Sequence, residues 1–292
     1  MLVGIIGCTS LTKFFVNTLN KLKIYDLEFI ISKKNDGINS DYEDLKKLFG
    51  KKTKVIHDKF LNKKETINFL KQSKVDLIFC IGWSHIINSK ILKIPKFGVI
   101  GHHPSYLPFN RGKHPIIWAK FLGLKYFGSS FFFMTEKIDH GIIIDRKKIA
   151  ILNNENASDL FLKLKKKIKK QIENLKIKKN DLKKNKKKIK NGNYWRKRNL
   201  EDGRIDFRMS AFAVHNLIQA LTKPYPGAYV KLKNKEYSIF KSEIITNKKN
   251  FLIPGQIIKK SKKFLIIKCY KDSIKIFNKS LCIKSRNKKY LQ

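Results

Sequence analysis

Apolar runs and amphipathic stretches alternate along the first part of the chain. Residues 2–7 (LVGIIG) predict a short buried strand, and the apolar positions of residues 11–22 (LTKFFVNTLNKL) recur at helical spacing. Alternation of this kind continues, and it is typical of βαβ units, so we expect an α/β fold with a parallel sheet covered by helices on both faces. The further runs with the length of strands are 27–32, 54–58, 75–83 and 97–103, and the helix-like stretches between them are 62–73 and 89–96.

The pattern changes after residue 124. Residues 126–136 and 141–152 predict two strands without a helix between them, which indicates that the sheet ends in antiparallel pairing. Together with the earlier runs they predict a Rossmann-like, mostly parallel sheet with flanking helices.

A helix and then a lysine-rich segment follow. Ser158 can cap the helix, and one apolar stripe runs along it: Phe161, Leu164, Ile168, Ile172 and Leu175. Residues 178–190 are mostly lysine, and such dense like charges repel one another and stay solvated. We therefore predict a first domain over 1–177 and a linker over 178–198.

The last third of the chain favours short strands. One more helix is predicted at 209–221, and a turn (KPYPGAY) follows it. Several short strands at regular spacing are typical of a small barrel, so we expect a small β-barrel-like (OB-type) domain over 199–292. The runs are 229–232, 236–241, 255–260, 263–270 and 273–278.

The net charge of the chain bears on its possible partners. The 65 Lys and Arg residues against 22 Asp and Glu residues give a formal net charge of +43, which attracts polyanions such as nucleic acid. Lys, Asn and Ile are over-used together along the whole chain, however, so a coding bias that writes lysine at any soluble position is the favoured explanation of the charge. Both explanations stay open at this point.

Cysteine usage and hydropathy indicate the compartment. The four cysteines are scattered without a C-x-x-C pair, which is typical of reduced thiols: Cys8, Cys80, Cys269 and Cys282. No run has the length and apolarity of a membrane span, and the first residues read as a strand rather than a signal peptide. We expect a cytoplasmic protein without a membrane partner.

Several common chemistries have no sequence support. The first turn (GCTS, residues 7–10) lacks the further glycines of a dinucleotide site, and there is no P-loop, zinc-type spacing or nucleophile-elbow serine. A metal on His102, His103 and His114 is disfavoured, because adjacent histidines on a strand point to opposite faces. We predict no metal.

The richest stretch is GHHPSYLPFNRGKHP, residues 101–115, at the end of an apolar run. Ligands of open α/β sheets bind beyond the carboxyl ends of the strands. Prolines stiffen this loop, and Arg111 with Gly112 offers an anion donor beside a flexible backbone point. Asp139 lies at the predicted tip between two strands. A histidine oriented by a carboxylate is suited to moving one proton at neutral pH.

Residues 103–119 (HPSYLPFNRGKHPIIWA) and 127–144 (FGSSFFFMTEKIDHGIII) resemble the formyltransferases that use 10-formyltetrahydrofolate. Residues 198–232, with DGRIDF and PYPGA, resemble the C-terminal domain shared by methionyl-tRNA formyltransferases and sugar N-formyltransferases. The resemblance covers nearly the whole chain and is weak at 33–60 and in the lysine-rich segment. It implies 10-formyltetrahydrofolate as the formyl donor.

The resemblance also assigns residues. It places His103 and Asp139 on the catalytic His and Asp of the family. Residues on its loop lining the folate and the formyl group are Ser105, Leu107, Pro108, Arg111 and Gly112. Residues 80–86 correspond to the segment that helps to bury the pteridine ring, which makes Ile81, Gly82 and Trp83 further candidates.

One position departs from the family pattern. The chain has Gly101 where the family has a catalytic Asn, whose amide donates a hydrogen bond to the formyl oxygen as negative charge develops there. Losing one such donor costs on the order of 100- to 1000-fold in rate. His102, His114, a backbone N–H beside Gly101 or a water molecule could replace it, and His114 is the preferred third catalytic residue. A divergent or inactive relative is the alternative. If the family geometry is kept, Gly101→Asn should hold or raise activity.

Two acceptors fit the resemblance. A primary amine on a nucleotide-linked amino sugar for surface polysaccharide synthesis is favoured, because residues 33–58 carry acidic residues and lack the basic loop of the tRNA-acting enzymes. Initiator methionyl-tRNA is the alternative acceptor. The second alternative is that the protein is a basic nucleic-acid-binding relative with weak catalysis. The oligomeric state is open.

Overall fold

The computed structural model describes residues 1–56, 61–175, 191–247 and 251–291. The chain forms two compact units that interleave in sequence. The sheet unit comprises Met1–Gly112, Phe127–Ile149 and Leu162–Trp195, and the C-terminal unit comprises Lys113–Tyr126, Ala150–Phe161 and Arg196–Gln292. The second unit therefore takes two segments from the region that the sequence assigns to the first domain.

Strands of the first two hundred residues form a seven-stranded sheet and a small ribbon. The strands are β1 (Leu2–Ile6), β2 (Asp26–Ser32), β3 (Thr53–Val55), β4 (Leu77–Cys80), β5 (Val99–His103), β6 (Arg111–Gly112), β7 (Tyr126–Phe133), β8 (Ile143–Ala150) and β9 (Tyr194–Trp195). The sheet order is β3-β2-β1-β4-β5-β7-β8, while β6 and β9 pair as the ribbon. The pairs among β1 to β5 are parallel and β7 is antiparallel to β5, so the predicted mostly parallel α/β sheet is confirmed.

Helices alternate with these strands along the chain, as the pattern predicts. They are α1 (Ser10–Leu22), α2 (Leu45–Phe49), α3 (Lys64–Gln72), α4 (Ser89–Leu92), α5 (Pro115–Phe121) and α6 (Ala157–Asn174). Phe15 of α1 is fully buried, and its ring centroid lies 5.1 Å from that of Phe79 in β4. All four residues of β4 are buried, which is expected of a parallel strand covered on both faces.

A residue from the segment after β2 caps the N-terminus of α1. The backbone N–H of Ser10 donates to the carbonyl oxygen of Asp41 at 2.9 Å, and the Ser10 hydroxyl donates to its carboxylate at 3.2 Å. Burial raises the pKa of Asp41, while the bond from Ser10 opposes that shift. The acidic residues after β2 thus pack onto the helix N-terminus where a phosphate would bind in a dinucleotide site.

In its described residues, the C-terminal unit contains six further strands and two further helices. They are α7 (Ala211–Ala220), β10 (Ala228–Leu232), β11 (Lys235–Ile239), β12 (Ser242–Ile245), β13 (Ile257–Lys260), β14 (Leu265–Lys268), β15 (Ser273–Ile276) and α8 (Lys279–Lys284). The strands pair antiparallel in two sheets, β10-β11 and β12-β15-β14-β13. Ile117 of α5 joins the apolar core of this unit, together with Val214 and Ile218 of α7. The predicted small β region is thereby confirmed.

The predicted linker is described only in its last residues. Residues 176–190, which include most of the lysine run, lie outside the described residues. Within the linker range, Tyr194 and Trp195 pair in parallel register with Arg111 and Gly112. The domain limits 1–177, 178–198 and 199–292 stay a prediction.

Two further observations bear on the setting of the protein. All four cysteines are buried thiols outside any disulfide. Among the described residues, every helix is too short or too polar to cross a membrane.

Candidate active site

His103 and Asp139 meet at the carboxyl end of β5. Nδ1 of His103 lies 3.7 Å from Oδ2 of Asp139, and both side chains are largely buried. The other ring nitrogen, Nε2, lies 3.1 Å from the carbonyl oxygen of Asn110. Because a carbonyl only accepts, Nε2 carries a hydrogen and Nδ1 is the nitrogen that can gain or lose the mobile proton. The pair predicted from the sequence is therefore brought together in the structure.

Asp139 is held by backbone and by Arg111. Its φ angle of 54° is left-handed, which turns the chain sharply between β7 and β8. Oδ2 of its carboxylate accepts the backbone N–H of Gly112 at 2.9 Å, and its carbonyl oxygen accepts Nε of Arg111 at 3.0 Å. Arg111 is only 3% exposed, so it acts as a buried brace for the Asp139 turn rather than as a free surface cation.

The loop between β5 and β6 is fixed by serine hydroxyls. Ser105 donates to the carbonyl oxygen of Phe109 at 2.9 Å. Ser130 of β7 donates to the carbonyl oxygen of Ser105 at 2.7 Å and accepts the backbone N–H of Leu107 at 3.1 Å. Ser105, Leu107 and Pro108 are all buried, and the Leu107–Pro108 bond is cis. The serine hydrogen bonds thus hold these residues in place as a wall that follows His103 in the chain.

The ribbon strand β9 supports the same loop from a distant part of the sequence. Asn193 accepts the backbone N–H of Asn110 at 2.9 Å through its side chain and that of Arg111 at 3.1 Å through its carbonyl oxygen. Gly112 has a φ of 94°, and a Cβ there would lie 2.3 Å from the carbonyl oxygen of Trp195. Sequence reasoning missed Asn193 and Ser130, although Ser130 lies within the 127–144 stretch that carries the family resemblance. The aromatic and basic residues that begin at Asn193 (NYWRKR, 193–198) are the local feature that marks this segment.

Ile81, Gly82 and Trp83 lie at the carboxyl end of β4, the strand next to β5. Ile81 is fully buried and its carbonyl oxygen accepts the Thr12 hydroxyl at 2.7 Å. Gly82 has a φ of 67°, and a Cβ there would lie 2.1 Å from the Thr9 hydroxyl oxygen. Trp83 is half-buried, and its indole N–H is buried without a hydrogen-bond partner among the described residues.

A charged cluster that sequence reasoning missed lies beside Trp83. Lys33, only 5% exposed, forms an ion pair with Asp36, and Nε2 of His85 lies 3.3 Å from the same carboxylate. The Lys33 ammonium is 5.9 Å from the centroid of the Trp83 ring. Burial acts to raise the pKa of Asp36, but the bonds from Lys33 and from the backbone lower it to about 2. The side chains come from the ends of β2 and β4, so only the fold brings them together.

No side-chain donor stands at position 101. A Cβ on Gly101 would lie 2.9 Å from Cγ of Met134 and 3.0 Å from Cζ of Phe132. Real Cβ atoms essentially never approach other heavy atoms below 3.0 Å. Phe132 and Met134 therefore fill the space that an asparagine side chain would need.

His102 faces away from His103, as the alternation along a strand predicts. Its Nε2 lies 2.9 Å from the hydroxyl of Ser129, which donates to Oε1 of Gln171, and Nε2 of Gln171 donates to Asp145 at 3.0 Å. Because the single Ser129 hydrogen is committed to Gln171, His102 donates from Nε2. Burial, with a smaller contribution from His103, lowers the pKa of His102 to about 3, so this imidazole is neutral.

His114 belongs to the C-terminal unit, where it precedes α5 with a left-handed φ of 56°. Burial lowers its pKa to about 4, and the nearby cations Arg198, Lys113 and Lys197 contribute to the shift. The imidazole is neutral at pH 7 and so carries one N–H donor.

Two other kinds of site were compared with this one. Among the described residues, no three His, Cys, Asp or Glu side chains are grouped as metal ligands. A cavity of about 500 Å³ lies in the C-terminal unit, lined in part by Glu201, Arg204, Asp206 and Arg208. Its lining residues include none of those predicted for the site.

Comparison with known proteins matches both parts of the chain to one family. Residues 10–174 match Formyl transferase, and residues 197–288 match Formyl transferase, C-terminal domain. The bifunctional polymyxin resistance protein ArnA of Wigglesworthia glossinidia brevipalpis is 35% identical over 241 residues, which are 80% of this chain and 35% of ArnA. A methionyl-tRNA formyltransferase of Clostridium beijerinckii is 32% identical over 225 residues, 75% of this chain and 70% of that enzyme. The chain thus spans about a third of the length of ArnA.

Solved structures share the fold. The sugar 3N-formyltransferase WlaRD, crystallised with dTDP and 5-N-formyl-THF, superposes with a TM-score of 0.64 at 20% identity, covering 95% of this chain and 97% of WlaRD. An N-formyltransferase of Helicobacter canadensis, in complex with folinic acid and dTDP-3-aminofucose, gives 0.61 at 20% identity, covering 95% and 99%. A methionyl-tRNA formyltransferase of Clostridium thermocellum gives 0.58 at 20% identity, covering 84% and 93%.

Proposed function

Since the chain belongs to the formyl transferase family, we propose that it moves the formyl group of 10-formyltetrahydrofolate to the primary amine of a nucleotide-linked amino sugar. The observation that carries the proposal is the distance of 3.7 Å between His103 Nδ1 and Asp139 Oδ2 at the carboxyl end of β5. Ligands of open α/β sheets bind at this edge.

The residues at this edge fit a folate. The ring of Trp83 is half-buried and leaves part of its aromatic surface open, which suits a flat ligand. Ile81 and Gly82 would hold the same end through their backbone, and the wall of Ser105, Leu107 and Pro108 would line the formyl side. When bound, the folate supplies the formyl group and leaves as tetrahydrofolate.

His103 acts as the proton carrier. The amine attacks in its neutral form, and as its nitrogen bonds to the formyl carbon, one of its protons passes to Nδ1 of His103. The carboxylate of Asp139 stabilises the imidazolium that results, because the two charges lie 3.7 Å apart in a largely buried setting. The same proton then passes to the folate nitrogen as its bond to the formyl carbon breaks. Atoms and charges balance without a metal or a redox partner.

The developing charge on the formyl oxygen needs a donor other than residue 101. His102 hydrogen-bonds Ser129 on the opposite face of β5, so it does not donate to the formyl oxygen. His114, the residue preferred from the sequence, belongs to the C-terminal unit, and its assignment to this role stays a prediction. A backbone N–H beside Gly101 and a water molecule are the alternatives.

An amino sugar is the favoured acceptor. The acidic residues after β2 pack onto the N-terminus of α1 instead of forming a basic loop. Two compared structures are of sugar formyltransferases, and one of them was solved with dTDP-3-aminofucose. Initiator methionyl-tRNA is the second candidate, favoured by the net charge of +43 and by the 32% identity to a methionyl-tRNA formyltransferase.

One experiment separates the two acceptors. The full chain is supplied with 10-formyltetrahydrofolate and either a panel of amino-deoxysugar nucleotides or charged initiator tRNA, and tetrahydrofolate release is followed. Release with an amino sugar alone supports the proposal. Release with tRNA alone assigns the second function. Salt-sensitive RNA binding without any release contradicts both.

A further inference from the structure

Tyr194 is an aromatic residue held half-exposed beside the catalytic turn. It is 54% exposed, although it lies in β9 and is paired with Arg111 of β6. Its hydroxyl donates to the carbonyl oxygen of Ile138, the residue before Asp139, at 3.4 Å. The ribbon and this bond fix the position of the ring and leave much of its surface open.

Two other planar groups surround the ring. The centroid of the His140 imidazole lies 5.8 Å from that of Tyr194, with 31° between the planes. The guanidinium carbon of Arg111 lies 5.5 Å from the Tyr194 centroid. His140 directly follows Asp139, and Arg111 donates to the carbonyl oxygen of Asp139. We call the two exposed rings, Tyr194 and His140, the aromatic platform, and the buried Arg111 lies beside it.

The Tyr194 ring is far more exposed than the tyrosines that pack against the core of the C-terminal unit. Tyr229 and Tyr237, which pack in the apolar core of the C-terminal unit or at its edge, are each only 6% exposed. Burial, with Arg111 and Lys137, lowers the pKa of His140, so its ring is neutral at pH 7 and adds aromatic surface rather than charge. The platform therefore offers an open aromatic surface next to the reacting pair.

We infer that the aromatic platform binds the sugar ring of the acceptor, with Tyr194 as its main contact; this inference rests on the proposed function. The part of the acceptor next to Asp139 is the part that carries the reacting amine, which in a nucleotide-linked amino sugar is the sugar ring. The face of a tyrosine ring is electron-rich and attracts positively polarised hydrogens such as the C–H groups of a sugar. The base and the diphosphate extend away from the reacting amine and are bound elsewhere.

The test compares Tyr194→Ala, Tyr194→Phe and the remote control Tyr270→Ala, since Tyr270 is 74% exposed in the C-terminal unit. With the amino-sugar nucleotide that the wild-type protein formylates, Tyr194→Ala should raise KM by about 3- to 10-fold, as expected for the loss of one aromatic contact. Tyr194→Phe keeps the ring and should stay within about twofold of wild type. Tyr270→Ala should leave KM unchanged. The KM for 10-formyltetrahydrofolate should not move in any variant.

Inhibition by the matching free nucleoside diphosphate identifies which part of the acceptor the aromatic platform binds. Its inhibition constant should be the same in wild type and in Tyr194→Ala, because this probe lacks the amino sugar. An equal weakening of the diphosphate and of the acceptor would overturn the inference and assign the platform to the base. An unchanged acceptor KM in a folded Tyr194→Ala would also overturn it. Absence of turnover by the wild-type protein with every amino sugar contradicts the proposed function instead.

Discussion

The carboxylate oxygen of Asp139 that lies 3.7 Å from Nδ1 of His103 also accepts the backbone N–H of Gly112 at 2.9 Å. One oxygen atom therefore links the predicted base to the loop that forms the wall of the site. The backbone bond holds the carboxylate in place while its charge stays available to an imidazolium.

Changing either member of the pair should remove turnover while the fold is kept. His103→Ala deletes the proton carrier, and Asp139→Asn removes the negative charge that stabilises it. Loss of a general base costs on the order of 100- to 10,000-fold in rate, so kcat should fall in that range for each variant. Tetrahydrofolate release measures the rate and circular dichroism checks the fold. The control is Asp26→Asn, since the Asp26 side chain is 82% exposed and its ion pair is with the N-terminal amine. Full activity in Asp139→Asn would refute the assignment.

Gly112 should be required for a steric reason and not only for its φ angle. Gly112→Ala places a Cβ 2.3 Å from the carbonyl oxygen of Trp195, which forces the ribbon apart and moves the N–H that Asp139 accepts. We expect kcat to fall at least about tenfold, as for the loss of one positioning contact. Gly37→Ala is the matched control, because Gly37 has a similar φ of 74° but a Cβ added there would have no described atom within 4 Å. It should lose about 1 kcal/mol of unfolding free energy and no activity. Equal effects of the two variants would contradict the prediction.

Position 101 should not tolerate the asparagine of the family. Because Met134 and Phe132 fill the space beside Gly101, Gly101→Asn should overpack the sheet face and cost about 1–3 kcal/mol of unfolding free energy. The rate should fall as well, in contrast to the expectation from family geometry alone. Denaturant unfolding and tetrahydrofolate release provide the two measurements.

A double variant isolates the cause. Phe132→Leu should relieve the overpacking, so the cost of Gly101→Asn should be smaller in the Phe132→Leu background than in the wild type. The difference between these costs is the coupling energy of the two positions. Strict additivity, or a stable and fully active Gly101→Asn, would show that the site has not been rebuilt around glycine.

His102 should make stability depend on pH. Its pKa is about 3 in the folded protein against 6.5 for an ordinary histidine. The unfolded chain therefore takes up a proton as the pH falls below 6.5, while the folded protein does not until about pH 3. The contribution of the neutral His102 to the unfolding free energy is fully present above pH 6.5, and it is lost progressively as the pH falls from there towards 3.

This dependence can be measured by denaturant unfolding at pH 7, 6 and 5. In His102→Asn the unfolding free energy should fall less steeply with decreasing pH than in wild type. The two slopes should differ by up to about 1.4 kcal/mol per pH unit, which is the value for the uptake of one proton. His140→Asn is the control, since His140 is exposed and should leave most of the slope in place. An identical slope in wild type and His102→Asn would show that His102 is protonated in the folded state.

Much of the site was predictable from short-range sequence. His103 follows an apolar run, and strands of a parallel sheet read as such runs because both of their faces are buried. The opposite directions of His102 and His103 follow from the alternation of side chains along a strand. The assignment of Asp139 came from the resemblance to a family motif, and the structure brings it to His103.

Other parts of the site depend on contacts between distant segments. Asn193 supports Asn110 from 83 positions along the chain, and no local pattern encodes that pairing. Lys33 and His85 reach Asp36 from the ends of two different strands. The assignment of α5 to the C-terminal unit likewise depends on which apolar core its side chains enter.

The sequence by itself determined the order of strands and helices, the loop that carries His103, and the glycine at position 101, because periodicity and motif spacing are properties of neighbouring residues. Only the tertiary structure decided that Phe132 and Met134 fill the space beside Gly101, that Arg111 is a buried brace, and that Tyr194 stays open next to Asp139. These features depend on packing across the sheet and the ribbon, where the free energy of a side chain is set by neighbours that the linear order does not reveal.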